Sequence, residues 1–396
     1  MDIIVIGGGA AGLMAAIYAA EGGAKVRLLE KNDRIGKKIL VTGNGKCNLS
    51  NTDSHIDHYT SHHKEELSNV FSAFSFADTR QFFEHSGVAI KERNGWLYPY
   101  SEQAQAVVTV LERKARDLGV IIKTRENVIA VKKNGKGFSV CTKSWQYPAD
   151  RVILTTGGPA SAVEGSCADG MYIAETLGHR LYEPLPALVP LRIREKQYSV
   201  WAGSRMDANA SLYIDGKYVR SEQGEIQFAD YGISGIAVFQ LSIDAVQARA
   251  KGLHAEIVLD LFPQFSTETL ELMLKHRRET IKISREEELF VGLLPDRMIK
   301  ALVTKKPKEA KEYAKLFKHL KVTVQNAHSL ERAQVTNGGV DLSDIDTKTM
   351  ESRKVAGLYL AGEILDVCAC CGGYNLQWAW SSGALAGISA SKKGVL

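Results

Sequence analysis

At 396 residues and 45% hydrophobic, the chain can bury a large core and has the length of two or three domains. A net charge of +5 and a pI near 8.7 are mildly basic, short of the dense Lys/Arg excess of a dedicated nucleic-acid protein. Six cysteines, clustered only at Cys368, Cys370 and Cys371, exclude a disulfide framework and favour a reducing, cytoplasmic setting.

The chain opens directly on the strand-like DIIVIG, with no basic leader or cleavage site before it. Residues 3–20 are almost all apolar or glycine, yet three consecutive glycines in their middle argue for strand, turn and helix rather than a membrane span. Ile3–Ile6 is a continuous apolar run, as a strand covered on both faces requires. Gly7, Gly9 and Gly12 then form G-x-G-x-x-G, with Ala10 and Ala11 opening a helix that Gly22 and Gly23 end. Gly7 serves a tight turn, Gly9 a close approach to pyrophosphate, and Gly12 close helix–strand packing. A second strand, Lys25–Leu29, presents Glu30 at its tip, 18 positions after Gly12 and suited to ribose hydroxyls.

The stretch ILVTGNGKCNLSN (39–51) follows, too irregular for a helix or a strand. Its Gly43 and Gly45 permit backbone approach to a ligand. Lys38 or Lys46 would offset phosphate charge, and Asn48 offers both donor and acceptor. Cys47 reads as a close-packed, uncharged neighbour of the ligand rather than a nucleophile.

Further along, Val128–Lys133 and Phe138–Thr142 flank an NGKG turn and predict a hairpin within a β-meander. The buried strand Val152–Leu154 delivers Thr155, Thr156, Gly157 and Gly158, a second approach of backbone to the dinucleotide. From about Pro186 the pattern shifts to short alternating strands with turn signals such as Asp215-Gly216. Residues 267–283 and 307–320 read as helices, the second with Pro307 near its start. Residues 264–321 hold 14 Lys/Arg against 9 Asp/Glu, an excess equal to the net charge of the whole protein. A solvated helix face is the ordinary explanation of such a run, and no aromatic–basic interleaving supports single-strand stacking.

Near the C-terminus, GLYLAGEILD (357–366) gives an apolar strand, Gly362 and then Glu363. Residues 372–390 give a glycine turn and a helix with small residues at Ala379, Gly383, Ala384 and Gly387. The start of that helix would stabilise the negative charge of a reduced flavin, and Glu363 suits its sugar-alcohol chain. There is no second G-x-G-x-x-G, so one dinucleotide is held firmly. The meander, Glu363 and the last helix favour FAD over NAD.

Together, IGGGAAGLMAA, LLEKNDRIGKKILVTGNGKCNLSN, ALVPL, GISG, TNGGVDL, TMESRKVAGLYLAGEILDV and GGYNLQWAWSSG resemble the HI0933-like flavoprotein family, also called the aminoacetone oxidase or BaiN family. The resemblance implies an α/β fold: a Rossmann-like FAD-binding domain (three-layer ββα) with an inserted β-barrel-like domain and a helical domain. The expected division is residues 1–187 and 326–396 for the FAD domain, 188–262 for the barrel-like domain and 263–325 for the helical domain. It implies that Gly7, Gly9, Gly12, Glu30 and Lys31 hold the ADP part. Lys38, Thr42, Gly45, Cys47 and Asn48 would line the pyrophosphate and flavin, and Val128 would contact adenine through its backbone. Gly362 and Glu363 would face the ribityl–pyrophosphate region, with Asn375 and Leu376 at the pyrimidine end. The chain departs from the family in having Cys368-Ala369 where members often carry Asp-Gly.

The expected activity is that of an FAD-dependent oxidoreductase acting on a small organic substrate through flavin N5. The leading expectation is NAD(P)H-linked reduction of an enone such as a 3-oxo bile-acid or steroid intermediate. Alternatives are an amine oxidase using O2 and a tRNA-modifying flavoprotein. Nucleic acid is disfavoured as a partner, and no metal site is expected, since Cys368-Ala-Cys-Cys finds no matching Cys/His pair. Tyr374, Tyr98, Tyr100, His179 and Asp230 are candidate proton carriers, none singled out by its context.

Overall fold

The computed structural model describes residues 1–303 and 309–392. Pro307, expected near the start of the second basic helix, lies outside the described residues. The chain divides into two compact units, Met1–Pro184 with Val335–Leu396, and Leu185–Gln334.

The first unit is built on a seven-stranded sheet. Its order is Ile345–Asp346, Glu351–Ser352, Leu358–Leu360, Arg151–Leu154, Asp2–Ile6, Lys25–Leu29 and Ile121–Lys123. The last five run parallel, and the short first two add an antiparallel edge. Ile3, Ile4, Val5, Val152, Ile153 and Leu154 are all buried, because layers cover both faces of the central strands. A separate antiparallel sheet of Val128–Asn134, Gly137–Thr142 and Gln146–Ala149 supplies the second β layer.

The helix layer pairs Ala10–Glu21 with the C-terminal helix Tyr374–Ser391. A Cβ on Gly383 would stand 2.4 Å from the Ala11 carbonyl oxygen, and one on Gly387 2.4 Å from that of Ala15. The small residues of the last helix therefore serve a close helix–helix contact rather than an approach to a ligand. Trp378 and Trp380 on the same helix are buried, with Nε1–H groups donating to the carbonyls of Gly362 (3.1 Å) and Leu49 (3.0 Å).

The second unit is a closed six-stranded barrel. Its strands, in order around the barrel, are Leu191–Ile193, Gly232–Ser234, Lys217–Ala229, Arg205–Ile214, Ala255–Asp260 and Leu320–Ala327. Asp215 (φ 48°) and Gly216 (φ 77°) turn the long hairpin in the left-handed conformation that a two-residue loop demands. Helices Thr267–Thr280, Asp296–Leu302 and Ala310–Lys318 come between the fifth and last strands in sequence, so the helical segment is nested within the barrel's chain. Phe262, Phe290, Tyr313 and Phe317 form its aromatic core. The first of these helices stops at Thr280, not 283, because Ile281 turns extended.

Some of the cations of this region are paired among the described residues. Lys275 pairs with Glu271 (2.6 Å), Arg278 with Glu286 (2.5 Å), Arg285 with Glu288 (3.4 Å) and Lys318 with Asp260 (2.6 Å). Arg277 donates to the carbonyls of Leu289 (2.9 Å) and Val291 (2.8 Å). Among the described residues no helix is long and apolar enough to cross a membrane.

Candidate functional site

The site begins where Asp2–Ile6 and Arg151–Leu154 end side by side. The Thr155 hydroxyl lies 2.9 Å from the Ile6 carbonyl and 3.1 Å from that of Gly7, locking the two strand ends. A Cβ on Gly7 would stand 2.5 Å from the Thr155 carbonyl oxygen, and one on Gly12 1.9 Å from that of Gly7. Two of the three fingerprint glycines are thus required by backbone packing. Gly9 differs, since a Cβ there would meet nothing within 4 Å. The helix that follows has no side-chain cap, which leaves an uncapped positive end at Ala10 and Ala11.

Glu30 is buried at the next strand tip, accepting from the N–H of Gly8 (2.7 Å) and of Asn32 (2.8 Å). A carboxylate has about four acceptor positions, so both oxygens keep capacity for a further donor. Lys31 Nζ lies 2.7 Å from Cys167 Sγ and 4.0 Å from Asp169. Val128 starts the meander, two residues past Glu126, whose N–H donates to the Glu30 carbonyl at 2.9 Å.

Four motifs far apart in sequence then meet at one carboxylate. Lys38 donates to both oxygens of Glu363 (2.8 and 2.6 Å) and to the Ala160 carbonyl (3.1 Å). The Thr336 N–H, from TNGG, donates to Glu363 Oε1 at 2.9 Å. Gly158, from TTGG, is so close to Thr336 that a Cβ would stand 2.3 Å from its hydroxyl oxygen, and one on Gly157 4.0 Å from Glu363 Oε2. The Gly362 N–H is anchored by Ser382 Oγ at 3.0 Å. Thr156 Oγ1 is buried without a hydrogen-bond partner among the described residues.

The stretch 39–51 is more ordered than its composition implies. Lys37–Val41 form a short helix, and Thr42–Gly45 a tight turn in which Gly43, Asn44 and Gly45 all have positive φ. Thr42 Oγ1 donates back to the Ile39 carbonyl at 2.6 Å. Lys46 pairs with Glu102 at 2.8 Å. Cys47 is fully buried, and burial pushes its thiol up to about 12. Asn48 is buried with Oδ1 unpartnered among the described residues, and a Cβ on Gly373 would stand 2.8 Å from that oxygen. Gly373 is also the uncapped start of the C-terminal helix. Asn375 spends its side chain on Ala369, accepting from its N–H (2.9 Å) and donating to its carbonyl (2.8 Å). Among the described residues the N–H groups of Asn375 and Leu376, in the first turn, have no hydrogen-bond partner.

Near the same helix start a cavity of about 260 Å³ is lined by Asn51, Tyr59, Phe71, Tyr374 and Gln377. Its amides are used internally: Asn51 donates to the Gly372 carbonyl (3.0 Å) and Gln377 to Thr79 (2.8 Å) and Ser381 (2.8 Å).

Sequence reasoning missed a cluster of two buried aspartates and two histidines. His62 Nδ1 lies 2.8 Å from Asp366 Oδ2, which also accepts from the His62 N–H at 3.0 Å. Burial holds the Asp366 carboxyl above its usual value. The His62 ring stacks on Tyr182 at 3.7 Å. His63 Nε2 lies 3.2 Å and Arg180 3.0 Å from Asp341. Burial works against the Asp341 charge, but Ser343, Arg180 and His63 outweigh it and hold that carboxyl below its usual value. The available signal was a tandem histidine and an acid ending each of two apolar runs. No three His, Cys, Asp or Glu side chains among the described residues are placed to hold a metal ion. Of the other candidates, His179 is buried between the Ala174 carbonyl (2.8 Å) and Ser352 Oγ (2.7 Å), while Tyr100 is 70% exposed.

The family model for the HI0933-like protein Rossmann domain matches residues 1–389. The chain belongs to the HI0933-like family. It shares 36% identity with the 3-dehydro-bile acid delta(4,6)-reductase of Clostridium scindens, over 98% of each chain. It shares 29% with the ribosomal RNA dihydrouridine synthase of Haemophilus influenzae, again over 98% of each. Among solved structures, 3-ketosteroid delta1-dehydrogenase from Sterolibacterium denitrificans has the same fold, with a TM-score of 0.54, 12% identity and 99% of each chain covered. As a member of the HI0933-like family, the protein is an FAD-dependent oxidoreductase. The residues present fit that cofactor. Gly9 leaves open space at an uncapped helix start, and Asn48 Oδ1 is an orphaned acceptor beside a second one.

Proposed function

We propose that the protein reduces a carbon–carbon double bond conjugated to a carbonyl, the substrate being a small 3-oxo steroid or bile-acid-like enone and NAD(P)H the transient reductant. The observation that supports this is the meeting of Lys38, Thr336 and the Gly157-Gly158 turn at Glu363, in a chain 36% identical to the bile-acid reductase over 98% of each. FAD bound there supplies two-electron chemistry at N5.

In this reading Ala10, Ala11 and Gly12 present the helix start to the pyrophosphate, while Glu30 and Lys31 hold the adenosine ribose. Val128 flanks adenine. Lys38 and Glu363 act as a pair at the ribityl–pyrophosphate junction, so the lysine offsets both the carboxylate and the phosphates. Asn48 accepts a hydrogen bond from the pyrimidine edge, and the first-turn N–H groups of Asn375 and Leu376 favour the charge of the reduced ring. Thr42, Gly43, Gly45, Lys46 and Cys47 form the wall that excludes water from it, and Thr155, Thr156 and Gly157 form the opposite backbone approach.

The dihydrouridine synthase relatives favour the same chemistry on a different substrate. Dihydrouridine is uridine with the bond conjugated to its C4 carbonyl reduced, so both named activities are conjugate reductions. The higher identity to the bile-acid reductase, 36% against 29% to the dihydrouridine synthase, favours the small molecule over RNA.

The test is an anaerobic flavin spectrum of the holoprotein. NADH or NADPH is expected to bleach the flavin, and a 3-oxo-4,6-diene steroid to restore it with loss of the dienone absorbance. Bleaching by aminoacetone, with hydrogen peroxide formed in air, would instead establish an amine oxidase and defeat the proposal.

A further inference from the structure

Ile90–Arg93 and Trp96–Pro99 form a hairpin closed by Asn94-Gly95. Both loop residues have positive φ (51° and 84°), as the two-residue turn of a twisted hairpin demands. That turn sets the register. Lys91 stands opposite Tyr98 and Arg93 opposite Trp96, and residues directly opposite in an antiparallel pair share a face. Glu92 and the buried Leu97 share the other face. One face therefore interleaves two cations with two half-buried aromatic rings. Along the sequence this grouping is hidden, because each of these side chains alternates with one of the opposite face. Tyr100 extends the face, exposed, with Lys91 Nζ 5.7 Å from the centre of its ring.

The cations here outnumber their counter-charge. Glu102 pairs with Lys46 (2.8 Å), with Arg93 (3.4 Å) and with Lys91. Lys46 first, then Lys91, hold the Glu102 carboxyl down to about 2, so it is fully ionised at neutral pH. Among the described residues no other carboxylate lies within 4.0 Å of these three cations. Three positive charges gathered on one carboxylate leave an excess of two.

The face adjoins the residues assigned to the flavin at two points. A Cβ on Gly43 would stand 3.7 Å from Cε1 of Tyr98. Trp96 stands opposite Asn51, whose side chain donates to the Gly372 carbonyl at 3.0 Å, in the glycine turn that opens the C-terminal helix.

We propose that the face carrying Lys91, Arg93, Trp96, Tyr98 and Tyr100 docks NADPH, with the adenine stacked on its rings and the 2′-phosphate on its cations. Charge complementarity carries this. A phosphate monoester brings a charge of about −1.5 to −2 at neutral pH, which matches the excess of two. A guanidinium fork takes phosphate in bidentate fashion, and aromatic rings take the face of a base. NADH lacks that phosphate. The choice of a nicotinamide dinucleotide rests on the reductant in the proposed function, and the enone does not enter it.

Calorimetric titration of the oxidised holoprotein with NADP+ and NAD+ tests this without turnover. NADP+ is expected to bind about tenfold or more tightly than NAD+, by a margin that shrinks as salt rises. Arg93→Gln and Lys91→Gln each reduce that preference, their double variant abolishes it, and Arg93→Lys retains part of it. Tyr100→Ala weakens both nucleotides alike. FAD content and melting temperature stay at wild-type values in all of them. Equal binding of the two nucleotides, or a preference that survives in the double variant, overturns the proposal. So does a double variant that loses affinity for a single-stranded RNA while NADP+ binding is unchanged, which would give the face to RNA. Reoxidation of dithionite-reduced flavin by the dienone reads the enone proposal separately. Its failure with the NADP+ preference intact removes the enone reading alone, and its success without any preference removes the docking site alone.

Discussion

Cys47 shows how burial decides the chemistry of a residue whose type promises something else. Its side chain is fully buried at positive φ (58°) just after the tight turn of the glycine-rich stretch. Unfolded, the thiol titrates near 9.0; folded, burial moves it to about 12. Below pH 9 both states keep the proton. Between pH 9 and about 12 the unfolded chain releases it while the fold retains it, so the native state binds more protons and stability falls as pH rises. Cys47→Ser is expected to flatten that slope in urea titrations and to leave flavin bound. Native Cys47 should resist iodoacetamide at pH 8 by peptide mass mapping. Complete loss of FAD in the variant would show that the thiol itself is required. The sequence was informative at this residue, since neighbouring glycines and an asparagine already argued for close packing over reactivity.

At the scale of elements, the two-helix layer carries the clearest lesson. The small residues of the C-terminal helix were legible, but their purpose was not. Gly383 and Gly387 face Ala11 and Ala15 of the first helix, and the helix start at Gly373 remains the part available to a ligand. Helical spacing identifies a stripe of small residues without naming what lies against it. Gly387→Val is expected to force the two helices apart, costing about 1–3 kcal/mol or more, as overpacking typically does. The measurement is the urea midpoint of unfolding, and an unchanged midpoint would mean that the contact yields freely. The stretch 39–51 erred in the other direction. Its glycines and asparagines concealed the short helix Lys37–Val41, because a five-residue helix shows no periodicity.

For the whole molecule, the first unit holds every residue assigned to FAD, and the second holds the barrel and the helical segment. Flavin binding is therefore expected to stabilise unfolding transitions of the first unit selectively. Removing FAD should lower its melting temperature, and adding it back at a hundred times its dissociation constant should contribute about 2.7 kcal/mol. Differential scanning calorimetry of apo and reconstituted protein checks this. A shift in a transition belonging to the second unit, tracked by buried Trp201, would show that the cofactor acts there as well.

The sequence by itself determined the Rossmann-type start, the strand and turn leading to Thr155–Gly157, the strand before Glu363 and the final helix. Each is a contiguous run whose backbone demands are written in glycine positions, apolar periodicity and a terminal acid. Only the tertiary structure decided the pairings. Lys38 reaches Glu363 across 325 positions, and His62 reaches Asp366 across 304. Such contacts depend on which strands become neighbours and how each side chain leaves its backbone. No local pattern encodes that, because charge pairing over such separations is fixed by packing of the whole chain rather than by spacing along it.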